Sequence, residues 1–197
     1  MVAVNPYADV TVVPRIAIRF PLALPEPARF EVDRSETWPR VDGRLEYVEG
    51  RLEFMPPCGE MQQRVAIDVG TELNFWRRSH PEFVVGGNEA GMLLGGEVRG
   101  ADVAIWRGAF PPRSGFARVA PVLAVEIVGE DEPVDALRDK ARWYLGHGVE
   151  IVWIVVPATR SVIVVTVDAE LEAAERIPES SALPGLAPLV GDFFRQL

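Results

Sequence analysis

The chain has one cysteine, Cys58, and two histidines, His80 and His147. That inventory excludes an internal disulfide and a zinc site built from cysteine and histidine, so any metal must be held mainly by oxygen. No stretch approaches the ~20 apolar residues a membrane-crossing helix needs. The opening residues Met1 to Asp9 lack the basic start and apolar run of a signal peptide. A cytoplasmic protein with no membrane partner is the expectation. Positive charge is also scarce: 20 Lys and Arg against 29 Asp and Glu leave a net charge of −9. This balance argues against a protein that coats nucleic acid by neutralising phosphates, although carboxylates that bind a divalent cation would themselves add negative charge. Repeats and low-complexity linkers are absent.

What is present suits a single core, since 197 residues with 48% hydrophobic content fit one domain better than two. Residues 1–40 carry Pro6, Pro14, Pro21, Pro25, Pro27 and Pro39, which deny them a long helix and predict an extended arm. Its apolar runs, Val10–Val13 and Ile16–Phe20, could each add a strand or pack on a second copy, so a homodimer is expected. Residues 41–197 form the domain proper. Gly43 to Met55 alternates apolar and polar residues on either side of Glu49-Gly50, a hairpin pattern. From Met61 to about Arg78, Met61, Val65, Val69, Leu73 and Trp76 recur at helical spacing. Gln62 and Glu72 fall inside that apolar stripe, where a polar side chain needs a partner.

Phe83–Val85, Gly91–Leu94 and Ala101–Trp106 read as strands separated by glycine-rich turns. Val122–Val128 is a continuous apolar run that suits a central strand covered on both faces. Pro133 predicts the start of a second helix, capped by Asp131 or Glu132 and stopped by Gly146 and Gly148. Val149–Val156 and Ser161–Val167 add two strands, and the tail from Glu179 reads as loop with one turn of helix. Together these elements predict an α/β fold, a mixed sheet with helices on its faces.

Glu126 is the one charge inside Val122–Val128, and burying an ionised carboxylate there is costly unless a cation or hydrogen-bond donor offsets it. Asp102 poses the same problem one strand earlier. Carboxylates on neighbouring strands can share Mg²⁺, which prefers oxygen ligands and keeps several waters. The competing reading for each is an edge residue in solvent or a strand-end salt bridge. Lys140 lies about 40° outside the buried stripe of the second helix (Val134, Leu137, Ala141, Tyr144, Leu145), so its stem can follow the core while the ammonium reaches the sheet edge. The plain alternative is a lysine paired with Asp139 or Glu132. Arg64, Arg77, Arg78, Arg138 and Arg142 are candidates for a cationic face, though a solvated helix surface accounts for them as well.

Glu46–Met55, Arg99–Ala104, Val122–Val128, Lys140 with Tyr144, and Gly148–Pro157 follow in an order and spacing that resembles the Uma-type restriction endonucleases, a branch of the PD-(D/E)XK nucleases. The resemblance runs from about Arg40 to Val167. It implies a restriction-endonuclease-like fold and a Mg²⁺-dependent DNA endonuclease in which Mn²⁺ can substitute. Asp102 and Glu126 would be metal ligands, Lys140 the catalytic lysine moved from strand to helix, and Glu46 a further acidic contributor, with Glu49 as the fallback. The chain departs from the family at Ala101, where proline is usual, at Val128, the place of the superfamily lysine, at Gln62, often histidine, and at Gly129–Glu132, usually a Ser-Pro-rich turn. Those departures and the acidic charge keep a second expectation open, a nuclease-like module that has lost activity and serves in interaction or regulation.

Overall fold

The computed structural model describes residues 20–108, 115–130 and 132–197. The expected strands at Val10–Val13 and over Ile16–Arg19 lie outside these. Among the described residues one sheet of nine strands runs through the molecule, in the order β1-β3-β2-β5-β6-β7-β8-β9, with β4 paired on β5. The strands are β1 (Leu22–Leu24), β2 (Arg44–Val48), β3 (Arg51–Met55), β4 (Phe83–Leu94), β5 (Glu97–Arg107), β6 (Leu123–Ile127), β7 (Ile151–Val156), β8 (Ser161–Val165) and β9 (Glu170–Ala173). Two helices, α1 (Glu60–Arg77) and α2 (Val134–Gly146), lie on its two faces.

Side-chain alternation explains the layers. Val103, Ile105, Val125, Ile127, Trp153 and Val155 pack with Val65, Val69, Leu73 and Trp76 of α1 and with Phe193 and Phe194 of the tail. Their neighbours in sequence, Ala104, Ala124, Val152 and Ile154, pack with Leu137, Ala141 and Tyr144 of α2. Small alanines on this second face leave room for α2 to lie close to the sheet. β6 is buried at every position, as its unbroken apolar run predicts. It pairs parallel with β7 through the α2 crossover, while the other ladders are antiparallel.

The hairpin turns at Glu49 and Gly50 as expected, both with positive φ, the backbone a two-residue hairpin loop requires. Two expectations need correction. Gly86-Gly87 makes no turn: β4 runs through from Phe83 to Leu94, and the register only shifts between Gly87 and Ala90, so the glycines accommodate an irregularity rather than a reversal. Glu132 does not cap α2; Pro133 is the N-cap with no side-chain cap bond, and Asp131, the other expected cap, lies outside the described residues. β9, in a stretch where the sequence suggested no element, pairs with β8. The tail does end in one helical turn, a 3-10 turn over Val190–Phe194.

The turn that joins β4 to β5 depends on Gly95. Its φ of +58° favours glycine, and a Cβ there would run into the His147 ring at the end of α2. Gly95→Ala is expected to lower stability by about 1–3 kcal/mol, measured by urea unfolding, because left-handed strain and the clash act together.

Candidate active site

β5 has β4 along the full length of one edge, but its other edge is divided. Val98 pairs with Tyr47 of β2, and Val103–Ile105 pair with β6. Between them lies a fork of backbone, Arg99 to Asp102, and side chains serve it in place of a strand. The Gly100 N–H donates to Glu46 Oε1 at 2.9 Å. Its carbonyl accepts from Lys140 Nζ, also at 2.9 Å. Asp102 continues the missing ladder by accepting the Ile127 N–H at Oδ2, 2.7 Å away.

Lys140 reaches this fork from α2 as its position on the helix edge predicts. Its ammonium donates to Glu46 Oε1 at 3.1 Å and lies 3.2 Å from both oxygens of Glu126. Tyr144, one turn along the same helix, donates its hydroxyl to Glu126 Oε1 at 2.7 Å. The plain alternative for Lys140 does not hold: Asp139 pairs with Arg142, and Glu132 accepts from the Gly129 N–H. Glu46, Asp102 and Glu126 are each less than 9% exposed, so three carboxylates share this buried region with one ammonium.

The charge balance shows in the titration. Burial pushes the Glu126 carboxyl up to about 8; Lys140 opposes the shift, while Asp102 and Glu46 add to it. Burial alone would lower Lys140, but the Glu126 and Glu46 carboxylates outweigh it and hold the ammonium well above the ordinary lysine range. Burial, then Glu126, raises the Tyr144 hydroxyl in the same way.

The structure thus brings Glu46, Asp102, Glu126 and Lys140 together. Glu49 stays outside, exposed at the turn and paired with Arg51. Gln62 is buried and reaches the fork from α1: its Nε2 donates to Ile127 O at 3.0 Å and to Asp102 Oδ2 at 3.3 Å. Glu72 is answered elsewhere, by Arg195 at 3.2 Å. The five candidate arginines do not gather here; Arg64, Arg138 and Arg142 are tied to neighbouring carboxylates, Arg77 to the Phe83 carbonyl, and Arg78 lies over Phe75.

Two signals went unused in the sequence. Lys140 is the only lysine in the chain, the other basic residues all being arginine. Asp68 also falls in the buried stripe of α1, and it takes two hydrogen bonds from Gln196, fastening the tail to the helix.

Among the described residues, no three His, Cys, Asp or Glu side chains already stand as a group able to hold a metal ion. The donor chemistry nevertheless fits a hard cation. Asp102 Oδ2 and the Ile127 carbonyl converge on a single Gln62 nitrogen, and the buried carboxylates outnumber the ammonium. Beside the fork a cleft of about 520 Å³ opens, lined by Arg44, Glu46, Arg99 and Phe116 among others. No helix among the described residues is long and apolar enough to cross a membrane.

Comparison with known proteins agrees with this fold. A crystal structure titled as a putative nuclease belonging to DUF820, from Anabaena variabilis ATCC 29413, superposes with a TM-score of 0.72. The two share 18% identity over 84% of this chain and 97% of that one, which establishes a common fold. No curated protein matches. The family model Uma2, described as a putative restriction endonuclease, matches residues 32–191, and the chain belongs to that family.

Proposed function

We propose that the protein is a Mg²⁺-dependent DNA endonuclease that hydrolyses phosphodiester bonds at the fork between β2 and β6. The observation that carries this reading is the buried donor set: three carboxyl groups stand against one ammonium, with Glu126 kept protonated by burial, and a divalent cation would replace that proton and offset the remaining negative charge. Asp102 and Glu126 would hold the ion, with Glu46 as the third acidic contributor. When bound, Mg²⁺ supplies Lewis-acid stabilisation of phosphoryl charge and a more acidic water.

The chain's own groups do the rest. Lys140, held protonated by its carboxylate neighbours, spends its three donors on Glu46, Gly100 O and Glu126; once a cation takes the carboxylates, one donor would be released to orient an attacking water or offset charge on a phosphate oxygen. Tyr144 fixes one Glu126 oxygen, leaving the carboxylate a single orientation.

The test is a titration of full-length protein with Mn²⁺ and Mg²⁺, followed by cleavage assays on single-stranded, duplex and branched DNA. Metal-dependent cleavage is expected, and Asp102→Asn should abolish both the binding heat and the cleavage. Absence of cleavage on all three substrates would sink the DNA endonuclease.

A second reading, an inactive nuclease-like module, draws on the net charge of −9 and on the departures at Ala101, Val128, Gln62 and Gly129–Glu132. It expects no Asp102-dependent metal binding, so the same titration decides between the two. The homodimer through the arm, the division at residue 40 and a cytoplasmic location belong to our proposal as well. Light scattering that returned a monomer would remove the first.

A further inference from the structure

Gln62 sits in the third position of α1, after the N-cap Gly59, Glu60 and Met61. A glutamine there commonly turns back to the N-cap amide in a capping box. This one makes no cap bond and points its amide into the fork. Both atoms it meets, Asp102 Oδ2 and Ile127 O, are acceptors, so only the NH₂ end can face them. The amide oxygen lies on the other side, toward Gly129, where an added Cβ would stand 3.9 Å from it. With 8% exposure, the amide has given up water for these two bonds.

A carboxylate oxygen and a carbonyl oxygen that meet at one nitrogen are the ligands a hard divalent ion would take at about 2.0–2.6 Å. The NH₂ group and such an ion cannot occupy the same point. We propose that Gln62 is a displaceable lock on the metal position. Its amide stands in for the cation, holding Asp102 and the Ile127 carbonyl in register, and must withdraw before a metal can bind. The lock rests on the metal reading given above. Withdrawal has a destination, because the side chain can swing back to the N-cap in the manner usual for its helix position. The cost of breaking two buried hydrogen bonds is subtracted from metal affinity.

Removing the lock should therefore tighten binding. Gln62→Met keeps the length and apolar stem without the amide. Gln62→Asn keeps the amide but shortens the reach, a conservative variant should the first fold poorly. Calorimetric titration of the full-length proteins with MnCl₂ is expected to show both variants binding about tenfold more tightly than wild type. Their metal-free unfolding temperatures should lie below that of wild type, and the gap should narrow in saturating Mn²⁺. Unchanged or weaker binding in both variants overturns the lock; weaker binding would instead make Gln62 a ligand through its oxygen. Asp102-dependent binding that is indifferent to Gln62 defeats the lock alone. If folded wild type and both variants bind no Mn²⁺, the metal reading falls and the lock with it.

Discussion

Lys140→Met is expected to remove about 3–5 kcal/mol of stability from the metal-free protein at neutral pH, the usual penalty for stranding a buried charge, here that of Glu46. The ammonium serves Glu46, Glu126 and the Gly100 carbonyl at once. Without it Glu126, which holds its proton at neutral pH, keeps the Tyr144 hydroxyl, while Glu46 keeps the Gly100 N–H but has no other ion pair among the described residues. Urea unfolding measures the loss directly. A change under about 1 kcal/mol would mean that the ammonium behaves as a solvated surface charge. Lys140→Arg should restore only part of the stability, because a planar guanidinium cannot replace a compact ammonium at a point served by three acceptors. In the proposed endonuclease the same methionine variant should cut at least about 100-fold more slowly, the scale of losing one preorganised donor at a phosphoryl centre.

The second expected result concerns pH. Glu126 titrates near 8 in the folded protein, above its unfolded value of 4.5. The native state therefore keeps a proton that the unfolded chain has released. The stability this contributes is complete below about pH 4.5. It declines as pH rises toward 8 and is flat beyond that. The slope can reach about 1.4 kcal/mol per pH unit inside the window, several kcal/mol in all. Lys140 and Tyr144 are shifted upward from values that already lie above this window, so neither changes its charge within it. Glu126→Gln should flatten the profile of chelator-treated protein between pH 5 and 8, approximately the Glu126 window. A variant that kept the wild-type slope would place the proton on another group.

Much of the framework was legible because it is local. Alternation on either side of Glu49-Gly50 marks the hairpin, and the spacing of Val65, Val69, Leu73 and Trp76 marks α1. The unbroken run around Glu126 marks a strand with both faces covered. The misreading of Gly86-Gly87 and the silence over β9 share one cause. A pair of glycines serves a turn or a bulge equally well, and only the long partner β5 decides that Gly86-Gly87 stays extended. β9 is short, with three of its four residues exposed, so it owes its strand state to β8 rather than to a pattern of its own.

In the site, Glu126 was the clearest signal, since a charge inside an apolar strand demands a partner. The partner's identity was harder to read, because Lys140 and Glu126 meet through the packing of α2 on the sheet. Gln62 and Glu72 gave the same signal in the α1 stripe, yet one serves the fork and the other a tail arginine. Periodicity gives a side chain's face but not its destination. The fork itself was invisible, because it arises from where two ladders stop on one edge of β5.

That divided edge has a consequence for how variation at the site would be observed. The Gly100 peptide group of β5, which lacks a neighbouring strand, and the Ile127 N–H of β6 are held by the residues assigned to chemistry, so the framework and its reactive groups have no separate bonds to lose. A substitution at Glu46, Asp102 or Lys140 reaches a living cell first as a folding defect, lowering the amount of protein before any turnover is counted. Survival or expression screens would therefore score these positions as structural, and only activity normalised to folded protein can separate the two roles.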